Sequence, residues 1–179
     1  MIEIIIGSNT KPASTQRLID FFSEKEEMDG ILYIGYPIMG TPIGAISLDA
    51  MLLSKRHGVI IFDIEESSRL DQRTEVRDEI FNNITAKLIQ HKELVEKRKL
   101  VIPINVVTYA PVATNYGDTA EEVVDKNGNL STYIDSNKCD LGDEKYRSLV
   151  SVIQIITSIR KTSKRTEIKK PDSDRKSVV

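Results

Sequence analysis

The chain has 179 residues, enough for one domain with a substantial core, and 40% hydrophobic with 29% charged residues is ordinary for a globular protein. A single cysteine, Cys139, excludes a disulfide framework within the chain and a thiolate metal cage, and neither a signal-like start nor a long apolar span is present, so a cytoplasmic location without membrane attachment is the default expectation. The formal charge of -2 hides an asymmetry: residues 160–179 hold eight Lys/Arg against three Asp/Glu, which leaves about -7 on the rest and confines any contact with nucleic acid to local basic segments.

In chain order, Met1–Gly7 is a β-branched run, and Ser14–Glu27 carries Leu18, Ile19, Phe21 and Phe22 at helical spacing with Ser14 or Thr15 as the expected N-cap. The connecting loop, GSNTKPAS, begins with glycine as phosphate-cradling turns do. It lacks both GxGxxG and GxxxxGK[ST], and Pro12 removes an N–H that such a nest would use, so an ordinary surface turn is expected there. Gly30–Pro37 reads as a second strand, followed by a turn-rich connection marked by Gly40, Pro42 and Gly44.

Residues 46–53 and 59–64 are β-type runs that flank the polar segment Ser54–Gly58, the pattern of an antiparallel hairpin. Leu70 to about Arg98 then predicts one long helix, with Val76, Ile80, Ile84 and Leu88 every four residues. His91 falls near that stripe with no second ligand at i±4, the mark of a partly buried structural histidine rather than a metal ligand. Leu100–Ala110 predicts a strand interrupted at Pro103. Residues 114–140 are irregular, with a short helix expected at Thr119–Asp125 and a turn at Lys126–Asn129. Tyr116 and Tyr133 lie there, and six tyrosines in a domain of this size need no base-stacking role. Asp143–Arg160 predicts a core-closing helix, and residues 161–179 a disordered basic tail or linker towards a missing C-terminal region, beyond a folded unit at residues 1–160.

The hairpin sets three acids within the most apolar stretch of the chain. If its loop centres on Arg56, cross-strand partners have residue numbers that sum to 112: Leu53 faces Val59, Asp49 faces Asp63, and Glu65 follows Asp63 on the same face. Opposed side chains have Cβ atoms about 4.5–5.5 Å apart, and like charges there need a cation or a shared proton. A one-residue slip would put the two aspartates on opposite faces, and acids at strand ends reached by solvent would need no cation at all. In the metal-site reading Asp49 and Asp63 hold Mg²⁺ or Mn²⁺, with the Ile64 carbonyl as a further ligand and Glu65 completing the site or positioning water for phosphodiester cleavage. On the long helix, Asn83, Lys87 and Gln90 share a face that is either solvated or turned in part towards this cluster.

The order of helix, strand, G-x-x-x-x-D (Gly44 to Asp49), hairpin, hydrophobic strand ending in Asp63-Ile64-Glu65, long helix and strand resembles the PD-(D/E)XK nuclease superfamily. LDAMLLSKRHGVIIFDIEE is similar in particular to its nuclease-related domain, NERD. The resemblance implies a restriction-endonuclease-like α/β fold, a mixed central sheet with an antiparallel hairpin core flanked by helices. It also implies a hydrolase with Asp49, Asp63 and Glu65 as catalytic positions, a DNA substrate, and attachment to a superfamily-one helicase motor, although no Walker motif lies in these residues. The position of the family's catalytic lysine holds Glu65, and a carboxylate does not offset transition-state charge. Either another cation substitutes, Lys87 and Lys55 being the candidates, or the domain docks DNA or a partner without cleaving. A flavodoxin-like nucleotide binder built on GSNTKPAS is the third reading, and it predicts a mostly parallel sheet with its ligand at Gly7–Thr10.

Overall fold

The structure, a computed structural model, describes residues 1–36, 38–41, 44–116, 123–125 and 130–156. Its centre is the expected hairpin, β5 (Ala50–Ser54) and β6 (Gly58–Ile64), every residue of which is buried. A strand covered on both faces shows a near-continuous apolar run rather than alternation, and that is the character of this stretch. Leu53 pairs with Val59 and Ala50 with Phe62, the register expected from a loop centred on Arg56. Gly58 supplies the turn, with φ +71°. A Cβ at this position would lie 2.6 Å from the Pro103 carbonyl oxygen, so both the backbone angle and the space call for glycine.

Around the hairpin, β1 (Ile2–Ile6), β2 (Gly30–Ile34), β10 (Ile104–Ala110) and β12 (Val123–Asp125) complete a six-stranded mixed sheet of order β1-β2-β5-β6-β10-β12. β1 is parallel to β2, β5 is antiparallel to both its neighbours, and β10 is parallel to β6 and β12. Within this sheet all strands except β5 therefore point the same way; β7 (Arg69–Leu70) and β11 (Asn115–Tyr116) pair separately.

Helices cover both faces. α1 (Pro12–Ser23) and α3 (Leu130–Ser136) bury Leu18, Phe22, Leu130 and Ile134 against Leu52, Ile60 and Phe62. On the other face α2 (Thr74–Leu88) and α4 (residues 142–156 as described) bury Ile84, Leu88, Leu149, Val152 and Ile153 against Met51, Leu53, Val59 and Ile61. Strand alternation sorts the hairpin between these two cores, and it places Asp63 on the α2 side.

Several local expectations are corrected. The run 46–53 is not one strand: β4 (Gly44–Ser47) leaves the main sheet and pairs with β3 (Ile38–Thr41), so Asp49 lies just outside the β5 ladder. The long helix ends at Leu88. A 3₁₀ turn (Lys92–Leu94) and a small hairpin, β8 (Val95–Glu96) with β9 (Lys99–Leu100), take the rest, its turn made by Lys97 and Arg98 at φ 51° and 68°. The stripe stops there because Leu94 is buried by the turn and not by a continuing helix. Residues 123–125 form a strand on β10 where a helix was expected, and α3 was not foreseen. The remainder of Thr119–Asp125, the turn at Lys126–Asn129, residues 157–160 of the last helix and the basic tail lie outside the described residues. Tyr133 packs partly buried on the α1-side core, which accounts for it structurally.

The strain argument makes Gly58→Ala a direct check of the hairpin. Chemical denaturation should show a loss of about 1–3 kcal/mol, whereas an unchanged midpoint would mean that the turn is not built as described.

Candidate functional site

Because β1, β6 and β10 run the same way and β5 the opposite way, the segments after β1, before β5, after β6 and at the end of β10 meet at one edge of the sheet. In open α/β sheets this carboxyl edge is where ligands bind. Here it collects Lys11, Asp49, Asp63, Glu65, Arg73 and Thr108.

Asp63 is only 3% exposed. The guanidinium of Arg73, at the N-cap of α2, donates to both of its oxygens, Nε at 2.7 Å and Nη2 at 2.8 Å, and the Thr108 hydroxyl donates at 3.0 Å. Thr108 in turn accepts from Arg77 at 2.8 Å. Two parallel N–H···O bonds in a fork geometry are the strongest way to hold a buried carboxylate. The Asp63 pair, first through hydrogen bonding and then through its charge, raises the pKa of Arg73, with Glu65 and Asp49 adding to the effect.

Asp49 is held differently. One of its oxygens accepts the Ile64 N–H at 2.8 Å, which closes the end of β6, and the ammonium of Lys11 at 3.0 Å. Lys11 also donates to the Ile64 carbonyl. Among the described residues Asp49 and Asp63 share no direct partner, so the facing pair of the hairpin register becomes two separate carboxylates, each with its own cation. Glu65 accepts from the Ser67 N–H and hydroxyl at 2.9 and 2.8 Å and from Arg73 at 3.2 Å. Burial raises its pKa, but the two Ser67 bonds together with Arg73 and Lys11 outweigh that and leave it below the ordinary carboxylate value.

The three acids and the Ile64 carbonyl are brought to this edge, although the β5–β6 ladder ends at Ala50 and Phe62 and does not include Asp49 and Asp63 as a pair. The supporting residues are not. Lys87 and Gln90 sit at the opposite end of α2 from Arg73, about 20 Å away at 1.5 Å per residue. Lys55 pairs with Asp143 at the other edge of the sheet. Three participants went unread in the sequence: Lys11, Arg73 and Thr108. Lys11 belongs to GSNTKPAS, the loop singled out for its glycine, and its signal was the single cation in a loop following a strand. Arg73 and Thr108 carried no local signal. Glu66, also unread, accepts the Ser14 N–H at 2.9 Å and satisfies an orphan donor in the first turn of α1, a task expected of the Ser14 or Thr15 side chain.

The loop Gly7–Thr10 follows β1. It packs with Lys11 against Gly35, Ser47 and Asp49, and the space between them is about 10 Å³, less than one small ligand requires.

A divalent cation fits these residues poorly. Both Asp63 oxygens, the inner Asp49 oxygen and the Ile64 carbonyl each carry a donor from the chain, and among the described residues no group of three His, Cys, Asp or Glu is placed to hold a metal ion. Mg²⁺ or Mn²⁺ would have to displace both Lys11 and Arg73. Comparisons with protein-family models, with curated proteins and with solved structures return no match for this chain.

Removing one partner of a buried ion pair leaves an uncompensated charge, typically at a cost of about 3–5 kcal/mol. Arg73→Ala is therefore expected to lose that much stability in urea denaturation, while the double variant Asp63→Leu/Arg73→Met recovers most of it. Additive losses in the double variant would show that the two side chains do not act as a pair.

Proposed function

We propose that this chain is a nuclease-like DNA-docking domain of a DNA-processing helicase, in which the acids that would otherwise bind metal are closed by the chain's own cations, so that it contacts DNA without cleaving it. The observation that carries this reading is the saturation of Asp63 and Asp49 by Arg73 and Lys11. The mixed sheet with its central antiparallel hairpin, and the sequence of helix, strand, hairpin, helix and parallel strand from α1 to β10, support the nuclease-like half of the reading. They speak against a flavodoxin-like binder, even though five of the six strands run in one direction.

With an acidic body, DNA contact falls to the basic residues 160–179. Phosphate binding by lysine and arginine releases counterions, so the affinity is expected to fall steeply with salt. The helicase motor remains the expected partner through the same basic segment.

One observation favours a second reading, a metal-dependent nuclease. Lys11 stands between Asp49 and the Ile64 carbonyl, as a cation relocated to serve in place of the lysine that Glu65 replaces would stand.

Calorimetry with Mg²⁺ and Mn²⁺, alongside cleavage and anisotropy assays on labelled DNA, separates the two. Docking without cleavage predicts no metal binding that depends on Asp49 and intact DNA. It also predicts a log–log salt slope that falls by about 0.7–0.9 for each phosphate left unneutralised when Lys169, Lys170, Arg175 and Lys176 are changed to Gln. Metal binding abolished by Asp49→Ala, accompanied by strand cleavage that Lys11→Ala removes, would establish the nuclease instead.

A further inference from the structure

The opposite, amino edge of the sheet holds a cavity of about 610 Å³, within the range of small-molecule sites. Its walls are the C-terminal end of α1, the turn between β5 and β6, the loop before β2 and the end of α3. None of the acid cluster reaches it: His57 precedes β6 whereas Asp63 lies near its end, about 20 Å away at strand spacing.

His57 lines this cavity and is 3% exposed. The Ser54 hydroxyl oxygen, which accepts the Arg56 N–H at 3.2 Å, lies 3.0 Å from His57 Nδ1 and donates to it or accepts from it according to the ring tautomer. In a neutral imidazole with Nδ1 accepting, Nε2 carries the hydrogen. Burial, followed by the charge of Lys138, holds the ring below its ordinary pKa and so neutral, while the charge of Asp135 and hydrogen bonding with the Ile134 backbone act the other way. Nε2 is itself buried, with no hydrogen bond of regular geometry to a described residue. A buried polar atom left without a partner costs about 1–3 kcal/mol, a cost that an oxygen bound in the cavity would relieve.

The surroundings specify the kind of acceptor. Lys25, Arg56 and Lys138 line the cavity, with Lys25 set over the Phe21 ring at 5.0 Å. Lys55 is turned to Asp143. Of the acids present, Asp135 is engaged by Lys138 at 3.4 Å, and Glu27 and Asp29 are exposed on the outer loop. Phe21, Met28 and Ile134 add an apolar wall. A donor at the base, cations around it and an apolar side match an organic anion, not a metal: His57 and Cys139 are not joined by a third ligand in metal-binding placement among the described residues, and burial, then Asp140, raises the Cys139 thiol pKa, away from thiolate.

We propose that this cavity binds a small organic anion through a carboxylate or phosphate oxygen that accepts the Nε2–H of His57 and pairs with Arg56. The site is separate from the acid cluster and independent of whether that cluster cleaves DNA.

The test uses the full chain with selectively ¹⁵N-labelled histidine, titrated in parallel with inorganic phosphate and with acetate. Saturable movement of the His57 Nε2 resonance by either probe supports the site, and which probe binds more tightly tells a phosphate from a carboxylate ligand. Arg56 is exposed, so Arg56→Ala should fold normally and weaken that probe by about tenfold or more, the loss expected for one charge-assisted contact. His57→Gln, which keeps an N–H donor, should bind better than His57→Leu. A His57 resonance unmoved by both probes in the folded protein, or binding that Arg56→Ala leaves unchanged, overturns the proposal.

Discussion

The buried ion pair between Asp63 and Arg73 is the interaction on which the carboxyl edge of this protein depends. A carboxylate 3% exposed near the end of an otherwise apolar strand carries a desolvation penalty of several kcal/mol, offset only by good pairing geometry and further hydrogen bonds. Arg73 and Thr108 supply that geometry with three donors. They come from the start of α2 and from β10, so the pair also fastens the crossover from β6 to its parallel neighbour, and Arg77 extends the network one turn further along the helix. The charge is thus built into the tertiary connection and is not a surface ornament.

Strand direction explains why the charges meet. With β5 alone reversed, the loops after β1 and β6 and the entry to β5 share an edge, and Lys11, Asp49, Glu65 and Arg73 are delivered there from segments distant in sequence. The same reversal sends the β5–β6 turn to the other edge, where the buried His57 lines a cavity beside the end of α1. One antiparallel strand in an otherwise codirectional sheet therefore produces two chemically distinct edges.

Much of the centre was legible in the sequence. The register of the hairpin followed from a loop centred on Arg56, since Gly58 marks the turn and period-two pairing leaves no further freedom once the turn is placed. The chemistry around Asp49 and Asp63 was only half legible: that the acids require a cation follows from their spacing, but which cation depends on contacts across 38 residues for Lys11 and on the docking of α2 for Arg73. Periodicity failed where tertiary contacts replaced helical ones. Leu94 and Val95 continue an apolar stripe that the chain realises as a turn and a hairpin, through positive φ at Lys97 and Arg98 that no residue preference announces. Val123–Asp125 adds to the β10 edge because a strand is available to pair with, which its own composition does not reveal.

The closure of the acid cluster by the chain's own cations is tested most directly by diffraction from crystals grown in Mn²⁺, measured with anomalous scattering. Arg73 should remain on both oxygens of Asp63, Lys11 should remain between Asp49 and the Ile64 carbonyl, and no anomalous peak should appear among them. A Mn²⁺ peak bridging Asp49 and Asp63, with Arg73 turned away, would contradict it.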